Sequence, residues 1–267
     1  MMSHRVVRPV ITAVIPARMA SSRYPGKPLV LINGLAMIEH VRRRTLMAAG
    51  VDHVVVATCD APIREAVEAI GGQVVMTSNA HERCTGRVEE AMRHLPGDIV
   101  AMVQGDEPLL IPEAVRMVIR PLIEDATLDA VNLLSPLESD ADYLNPNIVK
   151  AVCDQRGYLM HLTRAAIPHF RKHVAVPVYR QTGIMAFRTS FLHRFGTLPE
   201  TPLEIAESVD MLRALEHGVR IVGVVADYVT IGVDRPADVP LVEAMLHDNA
   251  TQRALFERTQ LMGRREP

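Results

Sequence analysis

The sequence predicts an α/β protein whose core is a doubly wound, mostly parallel sheet. Two observations carry that expectation. Short apolar, β-branched runs alternate with amphipathic segments of helical period through residue 134. Such alternation implies βαβ crossovers, which join parallel strands in one hand. In addition, the loops richest in charge and glycine follow strands. Doubly wound sheets bind ligands at that edge, beyond the carboxyl ends of their strands.

The elements read as follows. Residues 10–15 form a β-branched buried strand, followed by a loop over 16–27 rich in Ser, Pro, Gly and Arg. Residues 37–49 carry apolar positions at helical spacing, and Gly50 fits a C-terminal stop. A second strand (51–57) precedes a helix (61–70) that ends at Gly71-Gly72. A strand at 73–76, a helix at 85–94, a buried strand at 99–103, a helix at 113–123 and a strand at 130–134 complete the regular part. The pattern then changes. Short strands at 148–153 and 158–162 flank a Gln155-Arg156-Gly157 turn, and 180–188 reads as another strand. Residues 202–217 read as one helix, 220–226 as a strand and 236–249 as a closing helix. One domain over 1–250 is expected, with 135–218 inserted into it. A polar, frayed tail is expected over 251–267.

Composition excludes several classes. With 267 residues, 48% apolar and 22% charged, the chain is neither disordered nor fibrous. Its net charge of −2 provides no basic field for nucleic acid or an anionic membrane. Trp is absent, which disfavours a base-stacking platform. No apolar run is long enough to span a bilayer, and the first residues lack a signal-peptide core. Cys59, Cys84 and Cys153 stand far apart, without metal or redox spacing, so a reduced, cytoplasmic protein is expected. Only Lys27, Lys150 and Lys172 are lysines in a chain otherwise committed to arginine.

Three constellations carry chemistry. The first runs from Ile15 to Leu29 and crowds Arg18, Ser21, Arg23 and Lys27 into one Gly/Pro-rich loop after the first strand. Guanidinium forks and a lysine point charge suit a polyphosphate. The loop has neither Walker A spacing nor the dinucleotide glycine fingerprint, which argues against a Rossmann oxidoreductase. The second is Gln104-Gly105-Asp106-Glu107-Pro108, where a buried strand ends in two carboxylates. Such carboxylates suit Mg²⁺, which takes one or two of them with phosphate oxygens and water. The third is Gly232-Val233-Asp234-Arg235-Pro236, in which Asp234 is either the partner carboxylate or a helix cap.

Together these motifs resemble the CMP-Kdo synthetases, the 3-deoxy-manno-octulosonate cytidylyltransferases. The segments that match are IPAR…PGKPL, QGDEP, Asn145 to Lys150, Thr163 to Pro168, Pro202 to Glu204 and GVD.P.D. The resemblance implies a nucleotidyltransferase fold of glycosyltransferase-A-like type, CTP, Mg²⁺, release of pyrophosphate and a homodimer. It implies that region 135–218 builds the acceptor side and the subunit interface. By position, Arg18, Ser21, Arg23 and Lys27 hold the CTP phosphates. The resemblance implies that Asp106 and Asp234 bind magnesium, with Arg18 and Lys27 completing the catalytic set. It likewise implies that Thr85 and Arg87 lie over the nucleotide and acceptor, that Gln104 lies next to ribose and acceptor, and that Glu204 is an acceptor-side carboxylate.

The acceptor half departs from the family pattern. Where the family has S-G-T-E-R, this chain has Arg83-Cys84-Thr85-Gly86-Arg87. The family's His and Tyr on the later strand are Gln181 and Met185. Sites built for a polyol reject ligands that leave buried polar groups unpaired. A second acceptor is therefore open: a small phosphonate such as phosphonoformate, held by Arg83, Arg87, Arg164 and Arg180. Arg164, Arg180, Gln181 and Met185 join Gln104 and Glu204 as the expected acceptor residues. A non-catalytic CTP sensor is a third reading, opposed by the intact pair Asp106 and Asp234.

Overall fold

The computed structural model describes residues 8–262, apart from 22, 173, 229 and 230. The start of the chain, residues 1–7, and the end of the predicted tail, 263–267, lie outside the described residues.

In chain order the elements begin with β1 (Ile11–Ala17), a small hairpin of β2 (Leu31–Ile32) and β3 (Leu35–Ala36), and α1 (Met37–Leu46). They continue with β4 (His53–Thr58), α2 (Ala61–Glu68), β5 (Gln73–Met76), α3 (Cys84–Met92), β6 (Ile99–Val103) and α4 (Pro112–Glu124). Next come β7 (Ala130–Pro136), α5 (Asp140–Leu144), β8 (Lys150–Cys153), β9 (Leu159–Thr163) and β10 (Tyr179–Arg188). The chain closes with α6 (Thr189–Thr197), α7 (Pro202–Glu207), α8 (Met211–Glu216), β11 (Ile221–Val225), α9 (Asp238–Asp248) and α10 (Ala250–Met262).

The main sheet runs β11-β7-β10-β6-β1-β4-β5, with β8 and β9 extending from β10. Strands β6, β1, β4 and β5 pair in parallel, as does β11 with β7. Alternate residues of β1 and β6 feed two cores on opposite faces: Ile11, Ala13, Ile15, Ile99 and Ala101 on one, Val14, Val100 and Met102 on the other. That two-sided burial is what apolar runs in a doubly wound sheet require.

Five local expectations are corrected. First, β1 runs on through Pro16. Its pairing with β6 stops at Val14 while pairing with β4 continues to Ala17, so the missing N–H breaks no ladder bond to β6. Second, 202–217 is two short helices. Ser208 turns left-handed (φ 54°) after a capping box formed by Thr201 and Glu204. Third, α5, α6 and the β2–β3 hairpin were not expected. Fourth, the strand expected over 180–188 within the inserted region is β10, a central strand of the main sheet. It runs antiparallel between β6 and β7, and a bulge breaks its register between Gln181 and Met185. Burial on both faces leaves no trace of strand direction in the sequence.

Fifth, most of the predicted frayed tail is helix α10. Gln252, Leu255 and Thr259 form a narrow buried stripe at helical spacing, bordered by charge. Arg43 Nη1 donates to Thr259 O at 2.8 Å, and the His40 ring stacks on Phe256. Gln252 Nε2 donates to Leu109 O at 2.9 Å, and Arg44 Nη1 bridges Gln252 Oε1 and Leu110 O. The last helix thus grips the loop that follows β6.

Burial lowers the His40 imidazole pKa to about 4. The folded state therefore holds it neutral, while the unfolded chain protonates it below its ordinary value. The contribution is complete above about pH 6.5 and is lost as pH falls toward 4, a change of about 3 kcal/mol. We expect urea unfolding of the wild type to lose stability across that window. His40→Phe keeps the stack on Phe256 and should flatten that limb of the profile. An equally steep acid limb in the variant would assign the loss to other groups.

Candidate active site

The site forms where β1 and β6 end, with the β10 bulge beside the end of β6 in the same sheet. Pro16 and Ala17 end β1, and the chain then loops out. Met19 N–H donates to Asp60 Oδ2 at 2.8 Å, and Gly26 N–H returns to Met19 O at 2.9 Å. Gly26 takes a left-handed turn (φ 75°), which favours glycine and starts the 3₁₀ turn carrying Lys27. Ser21 Oγ accepts from Tyr24 N–H inside the same loop. This closed loop directs Lys27 inward.

Lys27 Nζ is nearly buried and lies 2.5 Å from Asp106 Oδ2, 3.1 Å from Val233 O and 3.7 Å from Asp234 Oδ1. Val233 N–H donates to Asp106 O at 2.9 Å, which ties the GVDRP loop to the QGDEP loop. Arg23 Nη2 pairs with Asp234 Oδ1 at 2.8 Å in an exposed position. Asp234 and Arg235 N–H groups both donate to Asp238 Oδ2 at the start of α9. Asp238, not Asp234, therefore serves this helix start. Asp106 and Asp234, 128 residues apart in sequence, converge on one ammonium.

Two cavities meet at Asp106. The first is lined by Arg18, Ser21, Arg23, Lys27, Gln104 and neighbouring backbone. Arg18 is exposed there and makes no side-chain hydrogen bond among the described residues. The second shares Arg23, Gln104 and Asp106 with the first and adds Glu107, Arg164, Gln181, Met185, Asp210 and Asp234. Close packing shapes this second wall. A Cβ on Gly183 would fall 2.7 Å from the Gln104 side chain and 2.8 Å from Glu107 Oε1, so any larger residue would displace both site side chains. Gly183 N–H donates to Glu107 Oε1 at 3.1 Å, and Gln104 N–H donates to Gly183 O at 3.3 Å.

Burial, reinforced by the neighbouring Asp106 charge, pushes the Glu107 carboxyl up to about 7. Burial likewise pushes the Cys84 thiol up to about 12, which keeps it protonated and inert as a nucleophile. Among the described residues no three His, Cys, Asp or Glu side chains form a metal cage. Two hard carboxylates converging on one cation position fit Mg²⁺, which leaves its other positions to phosphate and water.

Several expected residues lie elsewhere. Glu204 is fully buried and accepts from Arg213 Nε at 2.7 Å and Nη2 at 2.6 Å, so this carboxylate holds α7 against α8 and lines neither cavity. The Thr85 hydroxyl is buried on Asp210 Oδ2 at 2.5 Å. Arg87 is buried, donating to Thr77 Oγ1 and Ser78 O, and reaches only a small side cavity beside Arg18. Arg180 lines neither cavity. Arg83 bonds Ser208 Oγ and faces Glu204 at 3.4 Å. Arg164 reaches the second cavity but donates to the carbonyls of Glu207, Pro146 and Asn147. The four arginines offered for a phosphonate therefore do not converge.

Other residues were missed. Asp210 and Asn132 shape the site without a motif to announce them. Asn132 alone left a signal, as a polar side chain inside the apolar run AVNLL. Lys150, marked by its rarity, is structural: its buried ammonium donates to the carbonyls of Asn145, Ile148 and Arg164.

Comparison with known proteins shows the family and the fold. The cytidylyltransferase family model matches residues 12–221. A 3-deoxy-manno-octulosonate cytidylyltransferase of Syntrophotalea carbinolica is 43% identical over 88% of this chain and 98% of its own length. The chain belongs to the 3-deoxy-manno-octulosonate cytidylyltransferase family. A second member, from Pelobacter propionicus, is 42% identical over 91% of this chain and 98% of its own. Among solved structures, CMP:2-keto-3-deoxy-manno-octonic acid synthetase complexed with CTP superposes with a TM-score of 0.85. It is 38% identical and covers 90% of this chain and 99% of its own. A 4-diphosphocytidyl-2C-methyl-D-erythritol synthase from Anaerococcus prevotii shares the fold at 15% identity, with a TM-score of 0.60. The α/β nucleotidyltransferase architecture expected from the sequence therefore stands, and this is a nucleotidyltransferase. No helix among the described residues is long and apolar enough to cross a membrane.

Proposed function

We propose that this enzyme transfers CMP from CTP to 3-deoxy-manno-octulosonate and releases pyrophosphate. One observation carries the reading. Asp106 and Asp234 converge on Lys27 at the junction of a cationic cavity and a cavity rich in hydrogen-bond acceptors. The first suits a triphosphate. The second offers carboxyl groups of Glu107 and Asp210 and an amide of Gln181, partners for the hydroxyls of a sugar acid.

In this reading Arg18, Ser21, Arg23 and Lys27 hold the phosphates of CTP, and Gln104 lies between the two reactants. Asp106 and Asp234 hold Mg²⁺, which when bound neutralises phosphate charge and helps orient the reactants. An acceptor hydroxyl attacks the α-phosphorus in line and loses its proton to water. The bond from that phosphorus to the pyrophosphate oxygen breaks. Arg18, Arg23 and Lys27 stabilise the charge that develops on the departing pyrophosphate.

A homodimer fits the exposed apolar side chains of the inserted region: Leu144, Met160, Leu203 and Ile205. The absence of paired cysteines fits a cytoplasmic setting. The test is a panel of acceptors with CTP and Mg²⁺, read as pyrophosphate. Kdo should be turned over efficiently and phosphonoformate hardly at all. Higher kcat/KM for phosphonoformate, or no pyrophosphate with Kdo, would overturn the reading.

A further inference from the structure

We infer that Asn132 locks the Gln181 amide so that its carbonyl oxygen faces the acceptor, making this corner of the second cavity select a hydroxyl donor. The inference rests on the sugar-acid reading above and adds a positioning residue to it.

Gln181 lies on β10 opposite Leu134, just before the bulge, and its side chain lines the second cavity. Its Nε2 donates to Asn132 Oδ1 at 2.8 Å. Asn132 is fully buried on β7. Its Nδ2 faces backbone carbonyls only: Leu133 O at 3.0 Å, and Thr182 O and Ile184 O at 3.4 Å. A carbonyl oxygen turned toward those three would meet acceptors and no donor. The Asn132 amide therefore has one workable orientation, nitrogen toward the bulge and Oδ1 toward Gln181. Oδ1 only accepts, so Gln181 must present its NH₂ to it. The choice that coordinates alone leave open for an amide is thus made by the surrounding carbonyls.

The consequence lies in the cavity. Gln181 Oε1 accepts no hydrogen bond from the described residues, and it is not enclosed by protein, so a ligand in the cavity can reach it. Asp106, Glu107 and Asp210 line the same cavity and add further carboxyl oxygens. A ligand group reaching this corner gains a bond if it brings an O–H. A carboxylate or phosphonate oxygen there would meet an acceptor and lose its hydration without return. Asn132 acts through Gln181 and does not itself line the cavity.

The test compares Gln181→Leu, Asn132→Ala and the double variant by steady-state kinetics with CTP, Mg²⁺ and Kdo. Gln181→Leu should raise the KM for Kdo about tenfold, with kcat and the KM for CTP nearly unchanged. Asn132→Ala should raise the same KM severalfold. The double variant should be no worse than Gln181→Leu alone, because the second residue acts only through the first. Multiplying effects, or a Gln181→Leu enzyme with wild-type KM for Kdo, would overturn the inference.

Asn132 is buried, so its variant could fail to fold. A second measurement therefore needs no substitution. In the free, ¹⁵N-labelled protein the one Gln181 side-chain amide proton that bonds Asn132 should exchange slowly with solvent, and fast exchange of both amide protons would overturn the inference. That measurement uses no acceptor. A wild type that ignores Kdo would overturn the proposed function, and the amide exchange would still decide this one.

Discussion

Asp106→Asn should lower turnover by about a thousandfold or more, equivalent to about 4 kcal/mol of transition-state stabilisation. The substitution keeps the shape of the side chain and removes its charge. Two functions depend on that charge. One is the pairing with Lys27 Nζ at 2.5 Å, which holds the ammonium between the two loops. The other, in the reading above, is an anionic oxygen for a hard divalent cation, which an amide replaces poorly. The fold should survive, because β6 is buried on both faces and Asp106 itself is partly exposed at its end. Val233 N–H bonds the Asp106 main-chain carbonyl, so the loop-to-loop contact also persists. Circular dichroism and a melting curve would establish the fold. Pyrophosphate release would measure turnover. A folded variant with near-normal rates at saturating Mg²⁺ would remove Asp106 from the chemistry.

Glu204→Ala should destabilise the protein by about 3 kcal/mol, because it leaves one member of a buried ion pair alone. Glu204 is fully buried, and two nitrogens of Arg213 fork onto its carboxylate at 2.6 and 2.7 Å. The same carboxylate accepts from Thr201 N–H and closes the capping box of α7. Removing it strips the cap and leaves the guanidinium of Arg213 largely buried over Phe195. Urea unfolding should show the loss directly. At temperatures where the variant is fully folded, the KM for the acceptor should be close to wild type. An unchanged midpoint with a raised acceptor KM would restore Glu204 to the acceptor site, where the family resemblance alone would put it.

The two variants separate residues that the sequence presents alike. Asp106 and Glu204 both sit in family motifs, and both are acidic. One ends a strand at the junction of two cavities; the other is enclosed between two short helices. Nothing in PLE or QGDEP distinguishes these settings. Lys27 and Lys150 pose the same problem. Both stand out among arginines, yet one faces two carboxylates and the other caps three carbonyls.

The sequence by itself determined the α/β class, most strands and helices through residue 134, and the three loops that carry Arg18, Lys27, Asp106 and Asp234. These are local properties. Periodicity reports burial of a face, and a loop after a buried strand in an alternating pattern must emerge at one sheet edge. Tertiary structure alone decided the rest. It decided that β10 runs antiparallel through the middle of the sheet, that Gln252, Leu255 and Thr259 make the polar tail a packed helix, and that Thr85 and Glu204 spend their polar atoms on protein partners. It also decided that Asn132 aims Gln181. Strand direction, a sparse buried stripe and the partner of a hydrogen bond all depend on residues distant in sequence. Their energies arise only once those residues meet, so no local pattern records them.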